Sequence, residues 1–360
     1  MSNLLLCMTP GMGLKVWDRV GSLQRELMPY REYVRRGWQV RILTFDRGSL
    51  PLLPEGISAV RFPHPVLLPL LPWTHRSLGR WADVIKTNQS DGAHYYTRAA
   101  HVWNKPIVLR CGYVKGEYLE TVDGMTTATA RYQTKEARAF RAATHCLLPT
   151  EDLSTWVRDR YQLPADKITL VPNFVDTAVF TPLAGIDKKP MSVVTVGRLS
   201  PVKRFDLLLR ACSGILGCRL TIIGEGEERG RLHDLATELG VELSLPGNLE
   251  NVKLPAELQK HRVFAITSQR EGHPKSLIEA MACGMPCVGV DAIGIRNVIS
   301  NDLNGLLVGA SVEQVRDGLS LLLQNEALAH SLGGAAADFT SEAYSFERCM
   351  ATELSVVGRP

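Results

Sequence analysis

Two glutamates, Glu271 and Glu279, stand eight positions apart in the stretch SQREGHPKSLIEAMACGMPCVG. The apolar run VFAITS just before it predicts a strand that delivers Glu271 into the loop at its carboxyl end. Pro274 suits a first helical turn, and the N–H groups of Lys275, Ser276 and Leu277 then face the same edge. Glu279 follows inside that helix, roughly two turns from Glu271. The next residues, AMACGMPCV, are so apolar that the helix must be largely buried, and a buried acid needs a partner. One acid beside a reacting group and a second farther along an extended polar ligand fits this spacing. A helix-dipole acid and a solvated helix residue is the plainer alternative.

Two further motifs carry charge or glycine to strand ends. In VTVGRLSPVKRFD a strand ends at Gly197, and Arg198 and Lys203 flank the start of the next helix. Two cations beside a helix N-terminus suit a diphosphate better than a monocarboxylate, although a surface cation pair reads the same way. CMTPGMGLKVWDR passes from a first strand through Gly11 and Gly13 into a helix, where backbone N–H groups can approach a phosphate. Turn geometry alone also calls for glycine there. The segment lacks G-x-G-x-x-G and the Lys-Ser/Thr of a phosphate-binding loop, which argues against a dehydrogenase or a nucleotide hydrolase.

The elements that must position these residues alternate. NLLLCM, WQVRILTF, DVIKTN, KPIVLRCG, HCLLPT and ITLVPN read as strands of a first set, with helical patterns at 15–36 and 127–142. MSVVTVGR, CRLTIIGEG, VELSLPG, VFAITS, MPCVGV and GLLVG form a second set. Such alternation predicts an α/β fold of two doubly wound parallel sheets. We place a first domain at 1–175, a linker at 176–190 rich in Pro and Gly, and a second domain at 191–339. A C-terminal helix at about 340–357 is expected to pack back on the first domain. Sheets of this kind bind ligands at the carboxyl ends of their strands, so the cleft between the domains is the expected site.

Composition sets the outer bounds. A chain of 360 residues, 45% hydrophobic and 22% charged, is ordinary for a globular protein and too long for one core. Residues 1–180 carry 23 Lys and Arg against 16 Asp and Glu, net +7, and the remainder 18 against 21, net −3. The basic half is compatible with a membrane surface or an acidic glycan, and equally with solvated arginines; no nucleic-acid partner is expected. The opening MSNLLLCMTPGMG lacks the basic start of a signal peptide, and no apolar run is long enough to span a bilayer. Eight cysteines without a CxxC pair read as reduced, buried thiols of a cytoplasmic protein. Segment 15–36 sets Lys15, Arg19, Arg25, Arg31, Arg35 and Arg36 among Trp17, Leu23, Leu27 and Tyr30, with PVLLPLLPW downstream. That pattern could seat peripherally on the inner face of an anionic membrane; the alternative packs the apolar stripe on the sheet.

Taken together, the Gly-rich first loop, GRLSPVKRFD, IIGEGEER and SQREGHPKSLIEAMACGMPCVG resemble the retaining glycosyltransferases of family 4, which have the GT-B fold. REGHPKSLIEAMACG matches that family's E-x7-E signature from Glu271 to Glu279, and LVPNFVDTAVFTP resembles its hinge segment. The resemblance implies a nucleotide-sugar donor, a UDP-sugar in preference to a GDP-sugar, and a glycan or lipid-linked acceptor. It implies that Arg198 and Lys203 bind the diphosphate and stabilise the leaving group, while Gly11 and Gly13 approach the distal phosphate. Glu279 would take the ribose hydroxyls and Glu271 the donor sugar. Amides of Lys275, Ser276 and Leu277 would line sugar and phosphates, and Asn248 and Leu249 in LPGNLEN would hold the base. No D-x-D occurs, consistent with transfer that needs neither metal nor cofactor. The sequence departs from the family where many relatives carry a histidine: here the segment reads Arg110-Cys111-Gly112-Tyr113, and His94 and His101 read as ordinary helix residues. Lys86, Asn88, Gln89 and Arg110 are the acceptor-side candidates. A nucleotide-sugar 2-epimerase of the same fold, and a nucleotide-sugar-binding protein without activity, are the rival readings.

Overall fold

The structure is a computed structural model that describes residues 2–358. It divides into two units: one runs to Pro172 and resumes at Met350, the other is Asn173–Cys349.

The first unit carries β1 (Asn3–Cys7), β2 (Gln39–Thr44), β3 (Ile57–Arg61), β4 (Val84–Thr87), β5 (Ile107–Arg110), β6 (His145–Leu148) and β7 (Ile168–Leu170). They form one parallel sheet in the order β3-β2-β1-β4-β5-β6-β7. Chain order reverses between β1 and β4, so the loops that follow those two strands diverge and leave a crevice at their carboxyl ends. Leu4, Leu5 and Leu6 of β1 are fully buried, as a central parallel strand requires. β3 is absent from the strand runs read above, because an edge strand half open to solvent shows little apolar periodicity.

The amphipathic segment 15–36 is two helices, Leu14–Arg19 and Leu23–Arg35, broken where Gly21 takes a left-handed φ of +73°. Its apolar side is core: Trp17, Leu23, Leu27, Tyr30 and Tyr33 are buried. Arg35 and Arg36 both pair with Glu32, and Arg25 pairs with Glu26. The lipid-facing alternative for this segment is thereby corrected, since its apolar residues are taken up by the sheet.

The second unit carries β8 (Ser192–Val196), β9 (Arg219–Ile223), β10 (Glu242–Gly247), β11 (Val263–Ile266), β12 (Cys287–Val290) and β13 (Leu306–Val308). They form a parallel sheet in the order β10-β9-β8-β11-β12-β13, with its own reversal between β8 and β11. Residues 176–190, expected as a linker, are packed into this unit. Phe180 is buried, the Lys189 amide donates to the Lys260 carbonyl, and just ahead of them Val175 exchanges backbone hydrogen bonds with Tyr344 and Phe346. All eight cysteines are free and buried.

Candidate active site

The loops after β8, β9 and β11 are built against one another. The Gly197 amide donates to Ile223 and the Leu199 amide to Glu225, while the Glu228 amide returns to Leu199, all at 3.0–3.1 Å. A Cβ on Gly224 would fall on the Gly197 carbonyl, and one on Gly226 on the Leu199 carbonyl, so only glycine permits this backbone-to-backbone approach. The β8 loop then makes a 3-10 turn, Pro201–Lys203, and enters helix Phe205–Ser213 through Arg204 at φ +50°. Thr267 Oγ1, just past β11, donates to the carbonyls of Lys203 and Arg204 at 3.1 Å each. The cation loop and the glutamate loop are therefore fixed to each other before either meets a ligand.

Lys203 Nζ lies 2.6 Å from Glu271 Oε1, and Ser268 Oγ donates to the same oxygen at 2.6 Å. Both bonds fall on Oε1, which leaves Oε2 to accept from a ligand hydroxyl, and the ammonium keeps two further N–H donors. The Glu271 amide donates to the Ile293 carbonyl, and Gly294, at φ +84°, presses on the Glu271 backbone where a side chain would collide. Arg198 is set differently. Its side chain is 73% exposed and meets Glu227 at 3.1 Å, the kind of surface pair that an incoming anion displaces at little cost.

Helix Lys275–Ala282 starts behind Pro274, with Lys275 and Ser276 half-buried and Leu277 fully buried, so Leu277 can offer a ligand only its amide. Glu279 is 3% exposed inside this helix and accepts from Asn251 Nδ2 at 2.9 Å. Asn251 closes the LPGNLEN loop, in which Asn248 is exposed and Leu249 packs partly on the core. His273 was not singled out from the sequence. The Asn173 amide donates to His273 Nδ1 at 3.1 Å, and Asn173 Nδ2 to the His273 carbonyl at 2.7 Å. Its ring stands edge-on to Tyr344 at 4.8 Å. The segment between the two glutamates is thus anchored to the first residue of its unit, a pairing across 100 positions that no local pattern announces.

In the first unit the loop after β1 reaches helix Leu14–Arg19 through Gly11, at φ +83°, and Gly13. Gly13 abuts the Asp46 carboxylate, which accepts from Thr44 Oγ1 at 2.7 Å and from the Lys15 amide. This glycine has a structural reason of its own.

Lys86 and Arg110 do not stand open at the strand ends. Lys86 is 1% exposed and paired with Glu353 of the last helix, Phe346–Val357; Arg110 Nε lies 3.6 Å from the same carboxylate, and Tyr33 donates to it at 3.1 Å. Burial alone would raise the Glu353 carboxyl, but Lys86 and Arg110 hold it below the usual carboxylate range, while burial lowers the Lys86 ammonium. Lys86 is therefore a buried structural cation. Asn88 is half-buried with its amide on the Cys7 carbonyl, and Gln89 Oε1 accepts from the Gly112 amide at 2.9 Å, tying the β4 and β5 loops. Cys111 is fully buried, and burial, with Glu136 nearby, raises its thiol far beyond use as a base.

What those two loops do present is a different group. Asp91 meets Lys115 Nζ at 2.7 Å, each side chain 33% exposed, and Tyr132 OH donates to Asp91 at 3.3 Å. Beneath them the buried Glu136 accepts from Ser90 Oγ at 2.5 Å, Tyr161 OH at 2.6 Å and the Gly116 amide at 2.9 Å. Burial raises the Glu136 carboxyl against those donors. Ser90-Asp91-Gly92 follows Asn88 and Gln89 in the loop after β4, so the signal lies in the sequence just beyond Gln89. Among the described residues no group of three or more His, Cys, Asp or Glu side chains is placed to hold a metal ion.

Comparison with known proteins adds the following. The family model described as Glycosyltransferase Family 4 matches residues 30–179, and that described as Glycosyl transferases group 1 matches residues 182–339. The chain is 26% identical to the D-inositol 3-phosphate glycosyltransferase of Acidothermus cellulolyticus over 70% of this chain and 64% of that protein. It spans between 20% and 64% of the length of the curated relatives it matches. Among solved structures, sucrose-phosphate synthase from Thermosynechococcus elongatus superposes with a TM-score of 0.83 at 16% identity, covering 99% of this chain and 98% of the other. HepE from Anabaena, in complex with UDP and glucose, gives 0.81 at 16% identity with both chains fully covered.

Proposed function

From a chain that belongs to the family 4 glycosyltransferases, we infer an enzyme that moves a hexose from a nucleoside diphosphate sugar to a hydroxyl of a glycan or lipid-linked acceptor, with retention and without metal. The observation that carries this reading is the cluster of Lys203, Glu271 and Ser268, with Glu279 in the helix Lys275–Ala282 that follows. A leaving diphosphate needs its growing negative charge neutralised, and the Lys203 ammonium with Arg198 supplies that without a cation from solution. Glu271 Oε2 accepts from a hydroxyl of the donor sugar, and Glu279 from the ribose. In the transfer the bond from the anomeric carbon to the phosphate oxygen breaks and the acceptor oxygen bonds on the same face. The acceptor proton passes to the departing phosphate. The acceptor is held by Asp91, Lys115 and Tyr132, whose carboxylate, ammonium and phenol suit a polyhydroxyl ligand. UDP is favoured as carrier on the likeness to HepE, whose structures contain UDP and UDP-glucose.

The test incubates the purified chain with UDP- and GDP-sugars, following thermal protection, and then follows the product's anomeric configuration by NMR with and without EDTA. Protection by UDP-sugars and a retained, EDTA-insensitive product are expected. Donor isomerised in the absence of acceptor would replace the reading with an epimerase.

A further inference from the structure

The greasiest run of the first unit enters its core only in part. Pro65–Leu70 forms a 3-10 turn that leads into the short helix Leu71–Thr74, and Leu68, Leu71 and Pro72 are the residues it buries. Val66 is 75% exposed, Leu67 42%, Leu70 49% and Trp73 51%. Scattered exposed apolar residues need no explanation, but four large ones within eight positions form a patch that does.

The surroundings of that patch are cationic. Residues 56–82 contain Arg61, Arg76 and Arg80 with His64 and His75, and no Asp or Glu. Helix Ala93–Trp103, on which Leu71–Thr74 and the next helix Arg76–Trp81 pack, has no acid either. Its Arg98 guanidinium sits 5.2 Å from the Trp73 ring centroid. The neighbouring helix Thr127–Ala142 continues the field with exposed Arg131, Lys135 and Arg138 at i, i+4 and i+7. A dissolved polyanion would satisfy the arginines and leave the apolar ridge in water. A bilayer with anionic headgroups supplies both phases at once, with Trp73 at headgroup depth and the arginines at the phosphates.

We propose that this face, residues 65–74 with the outer side of helix Ala93–Trp103, docks on an anionic lipid bilayer. The surface is independent of the donor chemistry and stands or falls on its own measurement. The full chain is co-sedimented with vesicles of pure phosphatidylcholine and with an equal mixture of phosphatidylcholine and phosphatidylglycerol. Binding to the mixture alone is expected, weakened at least tenfold by Leu67→Ser with Leu70→Ser. Removing a cation should cost about fivefold in partitioning, so Arg76→Gln with Arg98→Gln should cost roughly 25-fold. Unchanged circular dichroism and melting of each pair exclude unfolding as the cause. Absence of binding to the mixed vesicles at low salt, or equal binding by both pairs and the parent chain, overturns the proposal. So does a dimer in sedimentation velocity that the Leu67→Ser, Leu70→Ser pair abolishes, because the ridge would then belong to a second copy.

Discussion

Lys203 and Arg198 carry the same charge in unlike settings, and the difference predicts unlike losses. Lys203 is held by Glu271 in a half-buried corner, so Lys203→Ala should cut turnover on the order of a hundredfold, ~2.7 kcal/mol. Arg198 lies exposed on the surface beside Glu227, and Arg198→Ala should cost about tenfold, because more of its attraction is screened by water. Turnover at saturating donor, in variants with unchanged circular dichroism, checks this; equal losses would remove the distinction. Glu271→Gln should mainly lower kcat and Glu279→Gln mainly raise the donor's KM, and the reverse assignment would show the two acids exchanged. Residues of this kind were legible because strand, loop and helix stand within a dozen positions of one another. Lys86 was not, since a lysine at a strand's end looks the same whether it faces a ligand or a carboxylate 267 residues away.

At the scale of elements, the glycines of the β9 loop are the sharpest case. Gly224→Ala and Gly226→Ala each drive a methyl into a carbonyl of the loop that carries Arg198, and each should cost about 1–3 kcal/mol. Donor protection against melting should fall with it. Retained stability in both variants would mean that the loops are not locked together. His261, next to β11, is buried, and burial with Lys189 and Lys260 pushes its pKa down to about 4 against the opposing pull of Glu257. The unfolded chain then binds the extra proton between about pH 6.5 and 4, so stability should be full above that window and fall through it. Urea midpoints across the window should flatten in His261→Leu. The sheets themselves were readable because buried parallel strands are continuous apolar runs. The break at Gly21 and the edge strand β3 were not, because one needs a backbone angle and the other lacks a buried face.

Over the whole molecule, the first unit is stitched from two distant pieces of chain by a buried ion pair. Glu353 keeps Arg110 when Lys86 is lost, but losing Glu353 strands the buried lysine, so Glu353→Leu should destabilise by about 3–5 kcal/mol in a denaturant titration. The double change Lys86→Met with Glu353→Leu should recover part of that loss, since Arg110 and Tyr33 lose the carboxylate too, and no recovery at all would mean that the pair is not what Lys86 is there for. Two sheets were visible in the strand–helix rhythm. Which residues of the last helix belong to the first unit was a matter of one glutamate among many. That placement bears on time as well as energy. A ribosome makes the strands of the first sheet early and must then translate all of Asn173–Cys349 before Glu353 leaves the tunnel. Until it does, a lysine waits inside a half-made sheet without its counter-charge, so of the two units the one begun earlier is the one completed later.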